Sequence, residues 1–107
     1  MDAVKSMKIR AKLIGDKAEI KLIISHPMET GRKKDDFDKL IPAHFIQLVT
    51  INLNDKPVLV AQWGTGIAKN PYLTFRVKGA KVGDKINVTW EDNLGNTGTQ
   101  DALVVQS

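Results

Sequence analysis

Two histidines, His26 and His44, are the side chains in this sequence best suited to moving a proton near neutral pH, and they flank one irregular stretch, SHPMETGRKKDDFDKLIPAHF. Folding could bring them together at the base of that stretch. A metal ion held there would need further ligands from Glu29, Asp35 or Asp38, but the spacing matches no established ligand pattern, so no metal is expected. Each ring nitrogen is read instead as a cap on a loop carbonyl or amide. Ser25 precedes His26, yet successive strand residues point to opposite faces, which separates a hydroxyl nucleophile from its neighbouring base. The chain contains no cysteine, and so no thiol nucleophile, no thiolate metal site and no disulfide. The stretch GTGIAKNP lacks a Gly-Lys-Ser or Gly-Lys-Thr ending and precedes a strand rather than a helix, so it is no phosphate cradle. Its glycines, Gly64 and Gly66, suit a corner, Pro71 should hold Asn70 extended, and Lys69 is either an exposed contact or a solvated loop lysine. These residues argue against an enzyme and call for no cofactor.

The elements that would position the histidines follow from periodicity. Apolar residues recur every second position, the spacing of a strand with one buried face, and no long window shows the helical period. MKIRAKLI and KAEIKLII alternate on either side of a GDK turn and read as a hairpin. After the insert, Phe45, Gln47, Val49, Ile51 and Leu53 oppose His44, Ile46, Leu48, Thr50 and Asn52, a strand apolar on both faces for part of its length. VLVAQW, YLTFRVK, KINVTWED and a last strand around DALVVQ complete the set. The expected fold is all-β, an immunoglobulin-like sandwich of about seven antiparallel strands without a disulfide, with Trp63 and Trp90 as core fillers.

One domain over residues 1–107 is expected, with residues 1–6 a flexible N-terminus and 26–42 a long loop whose centre is a charge-balanced, solvated tip. The composition, 42% hydrophobic and 26% charged, fits a folded globular chain rather than a disordered or membrane one. The net charge of +4 is spread along the chain rather than clustered with aromatics, so nucleic acid is not an expected partner. The first twenty residues hold no apolar run of signal-peptide length, and nothing approaches a membrane span. Ile23, Ile46 and Leu48, placed by alternation on the face opposite the core, form a candidate pairing surface.

Three segments, ISHPMETGRKKD, KLIPAHFIQLVT and AQWGTGIAKNPYLTFRVKGAKVGDKINVTW, together resemble the Z-subunit family of the Sox thiosulfate-oxidising system, from about Lys8 to Val104. The resemblance implies an immunoglobulin-like scaffold that pairs with a SoxY-type subunit. That partner's C-terminal cysteine, on a Gly-rich arm, holds sulfur intermediates and presents them to other Sox enzymes. It also implies a periplasmic location, reached by co-export with a signal-bearing partner. Its motifs supply candidate contacts for the partner or its arm: His26, Pro27, Met28, Glu29, Thr30, Gly31 and Arg32 in the first segment, Ile41, Pro42 and His44 in the second, and Lys69, Asn70, Pro71 and Tyr72 in the third. Ile46 and Leu48 join them from the pairing surface. Arg32 and Lys69, with the histidines, could line a polar rim for an anionic adduct, or the three segments could be structural corners. The rival to this family reading is a stand-alone ligand-binding or adhesion module.

Overall fold

A computed structural model describes residues 7–106; the expected flexible N-terminus, 1–6, lies outside the described residues. Among them the structure is all-β. Eight strands run in the order β1 (Met7–Ile14), β2 (Lys17–Ile24), β3 (Ile46–Leu53), β4 (Lys56–Gln62), β5 (Tyr72–Lys78), β6 (Lys85–Asp92), β7 (Thr97–Leu103) and β8 (Val105–Gln106). They form two four-stranded sheets, β5-β2-β1-β8 and β4-β3-β6-β7, the layers of an immunoglobulin-like sandwich. The β1–β2 hairpin turns at Gly15, whose φ of +64° suits glycine. No helix among the described residues is long and apolar enough to cross a membrane.

The inward side chains of the two sheets make one core. Ala18, Ile20, Leu22 and Ile24 of β2 face Val49 and Ile51 of β3 and Ile86, Val88 and Trp90 of β6, all buried, alternating on β2 and β6 with outward residues that are polar except for Ile23. Trp63 is partly buried against this core, while Trp90 lies within it. Gly98, paired with Trp90 across β6 and β7, leaves room for the indole: a Cβ there would come within 2.4 Å of Trp90 Nε1. The last apolar run divides in two. β7 ends at Leu103, buried Val104 acts as a pivot, and β8 joins the other sheet in a short parallel pairing with β1.

One register change matters for the site. Ile46 pairs with Asp92 and Leu48 with Glu91, so Gln47 is an extra residue, a β-bulge. Inward positions on β3 are therefore Ile46, Val49 and Ile51, not a uniform every-second set. This corrects the expectation for Ile46. It is fully buried in the core rather than on the outer face with Leu48, because the bulge reverses the alternation between them.

Candidate functional site

At one end of the sandwich the chain leaves β2 at His26, makes its long excursion and returns at His44. The excursion is less irregular than its sequence suggests. Glu29 and His44 exchange backbone hydrogen bonds of 2.7 and 3.0 Å, and Lys34 bridges Leu40 further out. Gly31, at φ +83°, lies against Ala43, whose Cβ would be 3.2 Å from any side chain placed there. At the tip Asp35 Oδ1 accepts the N–H groups of Phe37 and Lys39 at 2.8 and 3.0 Å, an Asx-type turn.

Both histidine rings converge on Asp92, which is 1% exposed. Met28 N–H donates to His26 Nδ1 at 3.1 Å, so the neutral ring carries its proton on Nε2 and donates it to Asp92 Oδ2 at 3.1 Å. His44 Nε2 reaches the same oxygen at 2.7 Å, and Asn96 Nδ2 donates to it at 3.1 Å. Asp92 Oδ1 accepts the backbone N–H groups of Leu94 and Asn96 at 3.0 and 2.8 Å. Burial alone would push this carboxyl up. Donation from His26, from Asn96 through backbone and side chain, and from His44 outweighs burial and holds it well below the usual carboxylate range. The rings of His26 and His44 meet edge-on at 4.6 Å, and His26 also stands edge-on to Trp90 at 5.4 Å. The indole N–H of Trp90 is buried and makes no hydrogen bond among the described residues.

Neighbouring backbone is tied into the same cluster. Asn93 accepts Phe45 N–H through Oδ1 at 2.8 Å and donates to the Ala43 carbonyl at 3.0 Å. Met28, at φ +49°, is buried, and its sulfur accepts Ile46 N–H at 3.3 Å. Asn70 Oδ1 accepts His26 N–H at 3.0 Å, and Asn70 N–H donates to the His26 carbonyl at 3.0 Å. Asn70 is not extended, as its place before Pro71 predicts, but left-handed at φ +51°. That conformation, which asparagine tolerates better than most residues, accompanies the pair of hydrogen bonds with His26.

The three motif segments thus meet around one buried carboxylate. Among the candidate contacts, Pro27, Arg32, Pro42, Lys69, Asn70 and Tyr72 are exposed, and Glu29, Thr30, Gly31, Ile41, His44 and Leu48 are half-buried. His26, Met28, Ile46 and Pro71 are buried, which corrects their reading as surface contacts. Both Nε2 atoms are directed at Asp92, and of the two imidazoles His26 is buried while His44 is partly exposed. Glu29, Asp35 and Asp38, the carboxylates that proximity in sequence offered to the histidines, serve loop contacts instead. Asp92 escaped the sequence reading, yet it left a signal. Ile86, Val88 and Trp90 occupy inward positions of β6, and Asp92 takes the next one.

The ligating atoms of His26, His44 and Asp92 lie within 4.8 Å of one another, close enough to hold a metal ion. The hydrogen bonding opposes it. To release Nε2 to a metal, His26 would carry its proton on Nδ1, pointing at Met28 N–H, whereas metal-bound histidines normally donate that proton to an acceptor. The arrangement is suited to clamping loops.

Fold and site define a class: a cysteine-free immunoglobulin-like sandwich whose loop base is closed by a carboxylate shared between two histidines rather than by a disulfide. The chain belongs to the SoxZ family, whose model, described as Sulphur oxidation protein SoxZ, matches residues 7–102. Membership makes it a subunit of the Sox sulfur-oxidation system, in which this family is a non-catalytic component. No curated protein matches the chain.

Proposed function

We propose that the chain is the scaffold half of a heterodimeric sulfur carrier, paired with a SoxY-type subunit whose cysteine arm holds the intermediates of thiosulfate oxidation. One observation carries this reading: a member of a sulfur-oxidation family has no cysteine, so a covalently held sulfur must sit on another chain's thiol. In this reading the pair works in the periplasm, exported together on the partner's signal, and meets the other Sox enzymes through the arm.

The outer face of sheet β4-β3-β6-β7 suits the pairing. Leu48 and Val60 stand there beside Thr50, Thr89 and Thr99, while Lys85, Glu91 and Asp101 are the ionised groups that β3, β6 and β7 direct outward. A charge-poor patch with an apolar centre is the composition of a protein interface. Co-expression with a SoxY-type subunit should give a stable heterodimer that gains sulfur-adduct mass on the partner, and none on this chain, after thiosulfate turnover. Leu48→Asp should abolish co-purification while the isolated chain stays folded; Ile46→Asp, placed in the core, should unfold it. An adduct on this chain, or full pairing by the Leu48→Asp variant, refutes the proposal or its interface respectively.

A further inference from the structure

The two sheets differ sharply in charge. Every charged side chain of β1, β2 and β5 points away from the core: Lys8, Arg10 and Lys12 from β1, Lys17 and Lys21 from β2, and Arg76 and Lys78 from β5. Against these seven cations the three strands carry one carboxylate, Glu19, shared by Lys21 at 3.7 Å and Arg76 at 3.4 Å. Among the described residues there are fifteen cations and eleven acids, so outside this face the remaining eight cations are outnumbered by ten acids. Their whole positive excess therefore lies on one sheet.

The register brings like charges into opposition, Arg10 across from Lys21 and Lys17 across from Lys78. Like charges directly opposite destabilise a sheet, so solvation alone gives no reason for the pattern. At one end Lys8, Arg10, Lys21, Ile23 and Tyr72 line a shallow hollow of about 270 Å³, with Tyr72 57% and Ile23 41% exposed. Arginine and tyrosine around an apolar floor is the mixture that protein interfaces favour. A single aromatic is poor provision for stacking on nucleic-acid bases, and the face lacks the continuous apolar stripe that enters a membrane.

From this we infer that the outer face of β1, β2 and β5 is a second docking surface, one that steers an acidic protein surface, that of an enzyme acting on the carrier, to the heterodimer. The inference rests on the carrier reading above. Strand spacing and rise make the face about 14 Å wide and 24 Å long, the scale of a transient encounter rather than a permanent pairing. A transient contact is what a carrier visiting several enzymes in turn requires. Concentrated charge serves it by raising association rates without lengthening residence.

The test uses the intact heterodimer as substrate for Sox enzymes, with Lys8→Gln, Arg10→Gln and Lys21→Gln combined. At low salt the variant should show KM raised about tenfold with kcat unchanged for at least one enzyme. The difference should vanish near 0.5 M salt, where the Debye length is about 4 Å and steering over longer distances is screened. Arg10→Gln alone relieves a like-charge pair and so should fold normally, with a smaller shift in the same direction. If the parent chain forms no heterodimer, the carrier reading itself fails; if only the triple variant fails to pair, the face is the pairing surface and the inference is overturned. If it forms and KM is unchanged for every enzyme, or is raised equally at high salt, the steering surface is refuted. Vesicles of phosphatidylglycerol, or duplex DNA, retained by the parent and not the variant while KM stays fixed would assign the face to a membrane or to nucleic acid and overturn the inference.

Discussion

Replacing Asp92 by asparagine keeps the shape of the side chain and removes one acceptor oxygen, which makes it a direct test of the clamp. With the amide nitrogen in place of Oδ2, His26 Nε2–H, His44 Nε2–H and the Asn96 amide all face a donor. Turning the amide over only transfers the conflict to the N–H groups of Leu94 and Asn96. His44, whose side chain is 28% exposed, can move its proton to Nδ1 and accept. His26 cannot, because Met28 N–H occupies its Nδ1. Stranding the buried His26 donor costs about 1–3 kcal/mol, and losing the Asn96 bond while His44 exchanges an ionised partner for a neutral one adds about 1–2 kcal/mol. Relief from burying a charge offsets part of this, leaving a net loss of about 3 kcal/mol. For a domain of this size that lowers Tm by about 15 °C. Thermal unfolding by circular dichroism measures it, and hydrogen exchange should show the Glu29 and His44 amides losing protection first. A Tm within about 3 °C of the parent would show that the carboxylate does not hold the loop base.

Acidification should act on the same group. Its folded pKa lies below the unfolded one, so its stabilising contribution is complete above about pH 5 and is lost as pH falls through about 3.9 towards the folded value. Denaturant titrations between pH 6 and 3 should show a steeper loss in the parent than in the Asp92→Asn variant; equal slopes would contradict the assignment. Gly98→Ala should destabilise by about 1–3 kcal/mol, because a Cβ 2.4 Å from the buried Trp90 indole forces the ring to move. Tryptophan fluorescence and near-UV circular dichroism should change with it, and an unperturbed spectrum with unchanged stability would mean the ring has room.

Much of the sandwich was legible in the sequence, because strand periodicity is a local property. β1, β5 and β6 fall on the segments where alternation places them, and Gly15 marks the turn of the first hairpin. Alternation also predicted the inward sides of β2 and β6 correctly. It failed at Ile46, since a bulge is a choice made between two strands and a uniform count along one of them passes over Gln47. It missed the division at Val104 for a similar reason: a continuous apolar run does not say that its two halves join different sheets.

The histidines show the same boundary at the site. Composition established that the chain has no thiol and so cannot itself carry a cysteine-bound sulfur, and the motifs around His26, His44 and Asn70 established the family. Which carboxylate the histidines face was decided by sheet packing, which brings the end of β6 to the base of the loop and sets Asp92 beside residues 48 and 66 positions away. The basic face is a similar case. Its cations stand in plain view along the chain, spaced as if dispersed, and only the pairing of β1 with β2 and β2 with β5 gathers them onto one surface. Composition and alternation are carried by single residues and short windows; shared acceptors, bulges and charged faces belong to pairs of segments, and those are fixed only when the chain folds.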